Sequence, residues 1–321
     1  MSAESFTVPA PGAGLFLSSS GGHFASLLYI ARKFRATEQS VLVTYRSPDT
    51  KVENLEFSIH YFPYVQSRRI IPLIRIIVPI FKIFKTEKFS YIASTGAGIA
   101  VIGYVFARIA KLPFYYVEDF NRQTSLSLTA KILQRIGLKK IFVQGQGLAS
   151  ISNIYLEHPI NNYVVSESVG KGMKEDKEIF VALGTIQGFD FPRAIDIVLS
   201  IIEESDVVRW QIGDSRIANI EKLYGTVYTE IDRSEFLKFI ADADIVICHG
   251  GNGIIGECLA AGKIPVVIPR RKIHGEHIDD HQVDMVKILA AKGLVLNLEA
   301  IQSRTQLIKM LEGRSITQKA K

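Results

Sequence analysis

Cysteine is nearly absent from this 321-residue chain, with Cys248 and Cys258 the only two. One pair cannot supply a disulfide framework or a cysteine-rich metal site, so both are expected to be reduced, packed thiols. Long apolar runs are also missing. No stretch reaches the ~18 uninterrupted apolar residues that span a bilayer; the nearest, 97–110, contains Arg108 and reads as a helix packed on a sheet. Residues 1–11 lack a basic segment followed by an apolar core, so no secretory signal is expected and the chain should stay in the cytoplasm. There is no short-period repeat, which excludes solenoids. Acidic residues are scarce in one half: up to Val165 there are 9 against 18 basic ones, and beyond it 23 against 20. Such asymmetry asks for an anionic partner of the first half, either nucleic acid or a membrane surface.

The chain is 47% hydrophobic, enough for a large core, and its length favours two domains. Short runs rich in β-branched and aromatic residues alternate with helical patterns at 15–18, 41–45, 91–94, 114–117 and 141–144. This βα rhythm implies a parallel sheet. It weakens over the polar stretch 157–177 and restarts at 179–183, 208–212, 227–231, 245–248, 265–268 and 294–296. Two doubly wound α/β domains are expected, 1–165 and 166–321, with ligands at the carboxyl ends of their strands.

The segment RRIIPLIRIIVPIFKIFK, 68–85, repeats a basic residue every seven positions at Arg68, Arg75 and Lys82 among Ile, Leu, Val and Phe. These three share one helical face, while Pro72 and Pro79 should break or kink the helix. Either it covers the sheet with snorkelling ends or it lies in a membrane interface, anchored by Arg68, Arg69, Arg75, Phe81 and Lys82. The second alternative accounts for both the charge and the apolar area, and points to a membrane and not to nucleic acid.

Four motifs carry chemistry. In SSSGGH, Gly21 and Gly22 sit in a strand-to-helix turn where backbone N–H groups can meet an anion, and His23 follows with an imidazole suited to general-base work. STGAGIA places Thr95 and Gly96 in a second such turn. YYVEDFNR ends a strand in Glu118 and Asp119; adjacent strand residues point to opposite faces, so at most one of the two meets a ligand. The strongest signal is ICHGGNGIIGECLAAGKIPVVIPR, 247–270. Here a buried strand runs into His249, Gly250, Gly251, Asn252 and Gly253, whose backbone can wrap a diphosphate at the start of a helix expected over 254–261. Glu257 follows within reach of a ribose hydroxyl. Arg270 closes the next strand, and the loop HGEHIDDHQ carries His281 and Gln282 towards the same nucleotide. A zinc site on His274, His277 and His281 is set aside for lack of an HExxH pattern. A dinucleotide site is set aside because GxGxxG is absent from the first turn. Asp242 and Asp244 form a DxD string that precedes a strand and reads as a solvated helix end.

Taken together these motifs resemble the two-subunit enzyme that adds the second N-acetylglucosamine to lipid-pyrophosphate-linked N-acetylglucosamine in N-glycan assembly. SSSGGH, STGAGIA and YYVEDFNR resemble its membrane subunit; FVALGT, HGGNG and IPRRKIHGEHIDDHQ resemble its catalytic subunit, as though the two were fused. Bacterial exopolysaccharide glycosyltransferases share these halves, and MurG-type enzymes share the plan. The resemblance implies a GT-B fold of two domains facing a cleft, and an inverting transfer at the cytoplasmic face of a membrane. The expected partners are a UDP-sugar donor and a polyprenyl or dolichyl pyrophosphate-linked acceptor, with no cofactor or metal. His23 is then the base, with Glu118 as its competitor or orienting partner. Gly21, Gly22, Thr95, Gly96 and Asp119 would meet the acceptor. Gly184, Thr185, His249, Gly250, Gly251, Asn252, Gly253, Glu257, Arg270, His281 and Gln282 would meet the donor. A UDP-sugar 2-epimerase has a similar plan but no use for the basic apolar segment, and a non-catalytic membrane scaffold would not need an intact HGGNG with Glu257.

Overall fold

The computed structural model describes residues 12–19, 21–47, 50, 57–62, 70–167, 176–186, 188–213 and 223–319. It divides into two compact units, Met1–Glu157 and His158–Lys321. The first contains β1 (Gly14–Leu17), α1 (Gly22–Lys33), β2 (Val41–Tyr45), β3 (Ser58–Phe62), α2 (Ile70–Thr86), β4 (Tyr91–Ser94), α3 (Gly98–Ala110), β5 (Phe114–Tyr116), α4 (Leu128–Arg135), β6 (Ile141–Val143) and β7 (Asn153–Tyr155). The second contains β8 (Tyr163–Glu167), β9 (Glu178–Ala182), α5 (Pro192–Leu199), β10 (Val207–Gln211), β11 (Thr226–Tyr228), α6 (Arg233–Asp242), β12 (Ile245–His249), α7 (Asn252–Ala260), β13 (Val266–Ile268), α8 (His281–Ala291), β14 (Leu296–Asn297), α9 (Arg304–Leu311) and β15 (Arg314–Gln318).

Each unit is built on a parallel sheet. The orders are β3-β2-β1-β4-β5 and β11-β10-β9-β12-β13-β14, and each reverses direction beside its first long central strand, as doubly wound folds do. Central strands covered on both faces read as continuous apolar runs: every residue of β1, β2 and β4 is buried. Alternation still sorts their side chains. Leu15 and Leu17 join the α2 and α3 side with Ile76, Ile80 and Ile99, whereas Phe16 joins Phe24, Leu27 and Ile30 of α1. Phe16, Phe34, Tyr91 and Tyr115 make edge-to-face contacts on that side, with Phe16–Tyr91 at 5.8 Å and Phe34–Tyr115 at 5.3 Å. Each such pair contributes about 0.5–1.5 kcal/mol beyond area burial. In the second unit Trp210 is fully buried and its indole N–H donates to the Tyr224 carbonyl at 3.0 Å.

Three expectations change. The division falls earlier than 165 because β8 pairs antiparallel with β15, Tyr163 opposite Gln318 and Glu167 opposite Arg314, which ties it to the second unit. The helix at 70–86 runs on across Pro79; Pro72 lies in the first turn, where no N–H is needed, and Pro79 forfeits one bond while Ile76, Ile80 and Ile83 hold the helix on the core. Arg68 and Arg69 lie outside the described residues, and of Arg75 only the helical backbone is described. The helix after the second glycine turn begins at Asn252, two residues ahead of its expected start. Strands β3, β7, β8 and β15 were not evident in the sequence, being short or half-exposed edges that lack an apolar run.

Candidate active site

In the first unit, α1 starts at Gly22 directly after Gly21, whose φ of 71° suits glycine. This turn brings His23 to the carboxyl edge of the sheet, where it meets the turn after β4. His23 Nδ1 lies 2.7 Å from the Thr95 carbonyl oxygen and 3.4 Å from Asp119 Oδ2. A carbonyl can only accept, so Nδ1 carries the proton and the lone pair of the neutral ring is on Nε2. Thr95 Oγ1 donates back to the His23 carbonyl at 2.7 Å. Gly96, at φ 136°, leaves room for the ring; a Cβ there would lie 2.7 Å from His23 Cε1 and 2.8 Å from Nδ1. Thr95 and Gly96, expected among the acceptor contacts, thus hold the imidazole. The His23 side chain remains 30% exposed and that of Asp119 14%.

The carboxylate that faces His23 is therefore Asp119, expected among the acceptor contacts, and not Glu118. Glu118 is 1% exposed. Its oxygens accept from Asp119 N at 3.1 Å, Ser127 N at 2.8 Å and Tyr116 Oη at 3.3 Å. Burial pushes its carboxyl up, against the downward pull of the N–H groups of Ser127 and Asp119. The reason is strand alternation: neighbours face opposite ways, and Asp119 takes the α1 side. Glu118 braces the turn into α4.

In the second unit the glycine turn follows β12. His249 fills a space that two glycines leave open. A Cβ at Gly251 would lie 2.5 Å from His249 Nε2, and one at Gly184 2.9 Å from its Cε1. The ring nitrogen Nδ1 lies 3.3 Å from the Ala182 carbonyl. Desolvation, helped by Arg270, lowers the His249 pKa to about 4, so this imidazole is neutral and shapes the turn. Asn252, buried at the start of α7, and Gly253 follow it, and Gly250 packs against Gln282. Gly213, at φ 61°, faces Gly184 so closely that a Cβ would come within 2.3 Å of its carbonyl oxygen; Thr185 is next to that contact.

Arg270 departs from its expected role at the donor. Its guanidinium turns inward, donating to the carbonyls of Leu183 (2.8 Å), Phe189 (2.9 Å) and Glu276 (3.1 Å) and lying over the Phe191 ring at 4.5 Å. Desolvation lowers its pKa to about 10, yet it stays charged at neutrality. A buried guanidinium just beyond β13 that donates to three backbone carbonyls is a structural tie. Gln282 Oε1 accepts from its backbone N–H at 3.0 Å. Glu257 Oε1 pairs with Arg233 at 2.5 Å, a partner from the first turn of α6 that sequence spacing did not reveal. Asp244 accepts from Glu178 N at 2.9 Å and joins no acidic cluster with Asp242 among the described residues.

One group could hold a cation. The ligand atoms of His277, Asp279 and His281 lie within 4.8 Å of one another. His274, the third member of the set weighed from sequence, stays outside it, and Asp279 takes its place. His281 Nδ1 makes a short contact with Asp279 Oδ1.

Residues 178–314 match the model of the Glycosyltransferase family 28 C-terminal domain. The chain is 26% identical over 219 residues to a UDP-N-acetylglucosamine--N-acetylmuramyl-(pentapeptide) pyrophosphoryl-undecaprenol N-acetylglucosamine transferase of Xylella fastidiosa, covering 65% of this chain and 57% of that relative. It thus spans little more than half of that relative's length. Among solved structures it resembles Acinetobacter baumannii MurG, with a TM-score of 0.56, 15% identity and coverage of 94% and 93%. It also resembles a Methanocaldococcus jannaschii UDP-GlcNAc 2-epimerase, with a TM-score of 0.54, 11% identity and coverage of 93% and 99%. The chain therefore has the fold of the GT-B glycosyltransferases, and its second unit is similar to the C-terminal domain of glycosyltransferase family 28.

Proposed function

We propose that the chain transfers N-acetylglucosamine from UDP-N-acetylglucosamine to a lipid-pyrophosphate-linked sugar, N-acetylglucosamine being the leading acceptor and a β-1,4 bond the product. The observation that carries this reading is the His23–Asp119 pair. With Nδ1 bonded to Thr95, Nε2 is the nitrogen free to take a proton from an acceptor hydroxyl, and Asp119 stabilises the imidazolium that results. The hydroxyl oxygen then forms a bond to the anomeric carbon as the bond to the UDP oxygen breaks, with inversion. Backbone N–H groups at the start of α7 meet the charge that develops on the leaving diphosphate. Glu257 takes the ribose, and His281 and Gln282 the sugar.

The lipid half of the acceptor is supported by the outer face of the first unit. Ile77, Val78 and Phe81 of α2 and Val105 and Ile109 of α3 are exposed, Val78 by 60% and Ile109 by 74%. Phe81 and Phe106 join the two helices at 6.4 Å. Lys82, Lys85, Arg108 and Lys111 are exposed on the same helices and the turn after them, with Lys85 over the Phe81 ring at 4.8 Å. No described helix is long and apolar enough to cross a membrane. An apolar patch edged by cations suits peripheral binding at the anionic cytoplasmic face.

Labelled transfer from several UDP-sugars to extracted polyprenyl and dolichyl lipids tests the reading and separates it from an exopolysaccharide enzyme using galactose or glucuronic acid. The 2-epimerase reading, favoured only by fold similarity, predicts UDP-N-acetylmannosamine formation without any lipid. Lys82→Glu, Lys85→Glu and Arg108→Glu together should abolish flotation with anionic vesicles, at ~1 kcal/mol per charge, and slow transfer to long-chain acceptor far more than to a short soluble analogue. Equal effects on both acceptors, with flotation intact, would remove the membrane claim.

A further inference from the structure

Between β13 and α8 the chain folds back on itself and is pinned at several points. Glu276, 1% exposed, accepts from the Arg271 N–H at 2.9 Å and from two Arg193 nitrogens at 2.8 Å. Asp280 Oδ1 accepts from the Lys272 N–H at 2.8 Å, and Gln282 Oε1 from the Arg270 N–H. This scaffold fixes the five residues 277–281, on which His277, Asp279 and His281 alternate.

Their ligand atoms converge. Asp279 Oδ1 lies 3.5 Å from His277 Nδ1 and in short contact with His281 Nδ1. The two imidazoles stand edge to face at 4.6 Å, and the His277 ring is stacked on Phe189 at 5.9 Å. His277 Nδ1 faces the cluster, 3.5 Å from the Asp279 backbone nitrogen and 3.5 Å from its Oδ1. Side-chain exposures of 10%, 30% and 14% leave the group partly desolvated but open to solvent.

We propose that His277, Asp279 and His281 bind one divalent cation of the zinc class. Zinc–ligand bonds of about 2.0–2.2 Å in a tetrahedron separate ligand atoms by roughly 3.3–3.6 Å, so atoms already within 4.8 Å need only small side-chain rotations on the pinned backbone. Two imidazole nitrogens and one carboxylate oxygen select zinc, cobalt or nickel over magnesium and calcium, which prefer all-oxygen sets. Three protein ligands leave one coordination position open. The site lies on the edge of the second unit that carries the glycine turn, since Gln282, next to His281, packs against Gly250. The assignment goes beyond the transferase reading and shares His281 with its sugar contact, but its readout is ion binding alone and does not require turnover.

The test titrates the chelator-stripped full chain with Co²⁺, followed by visible absorption, and with Zn²⁺, followed by calorimetry. One ion per chain is expected. Asp279→Asn and His281→Gln should each weaken binding by more than about tenfold, while His274→Gln, outside the group, should leave it unchanged. Circular dichroism of the stripped proteins selects folded variants, and His277→Gln replaces any that fails. A wild type that takes up neither ion stoichiometrically, or that binds no better than Asp279→Asn, overturns the proposal. So does equal loss in His274→Gln.

Discussion

In the first unit the imidazole after the glycine turn is partly exposed, held by a carbonyl and faced by a carboxylate; in the second, the corresponding imidazole is packed between Gly184 and Gly251 with Arg270 nearby. Both units share a doubly wound plan and carry a histidine beside the glycine turn that follows a central strand, His23 in the helix after the turn and His249 at the end of the strand before it. They differ in what the histidine can exchange with a ligand. His23 is faced by the Asp119 carboxylate, whereas at His249 desolvation and the positive charge of Arg270 outweigh the Ala182 carbonyl and oppose protonation. Under the proposed function, proton transfer is assigned to the first unit and neutral, backbone-based anion binding to the second. A shared fold does not divide these tasks; the neighbours of each ring do.

The sharpest way to break this comparison is His23→Ala. Turnover should fall by ~10² to 10⁴ while calorimetry shows unchanged UDP affinity. Asp119→Asn should follow in the same direction, and Glu118→Gln should spare turnover. If Glu118→Gln is the inactive variant and His23→Ala is not, the roles assigned to the two carboxylates are reversed.

Next in size is Arg270→Met, which leaves the carbonyls of Leu183, Phe189 and Glu276 without their charged donor. A stability loss on the order of 3 kcal/mol is expected, read from denaturant midpoints. A variant as stable as wild type but blind to UDP would return Arg270 to the donor site.

Glu257→Ala should weaken UDP binding by roughly 1.5–3 kcal/mol, the cost of one charge-assisted hydrogen bond. Arg233→Ala removes the competing ion pair at 2.5 Å and should not weaken it. Matched losses in both variants would mean that the pair acts as a brace and the ribose lies elsewhere.

The last prediction concerns pH. His249 has a folded pKa of about 4 against an ordinary 6.5, so the unfolded chain takes up a proton first as pH falls. Its contribution to stability is intact above pH 6.5 and is lost on descending towards 4. In His249→Phe this part of the acid slope should be absent, as melting curves from pH 7 to 4 would show. An identical slope in both proteins would remove the claim that the ring is held neutral.

Sequence alone determined the two βα series, the glycine turns and the residue types at their ends, because strand periodicity and glycine placement are local. It even limited Glu118 and Asp119 to opposite faces. It could not say which of them meets His23, since that depends on which way β5 presents its edge to α1. Nor could it show that Arg270 turns inward, that Arg233 reaches Glu257 across a helix pair, or that Asp279 and not His274 joins His277 and His281. The boundary moved for the same reason, as β8 finds its partner at the far end of the chain. Those pairings join residues far apart in sequence or on opposite faces of a turn, and only packing decides which polar groups share a buried space.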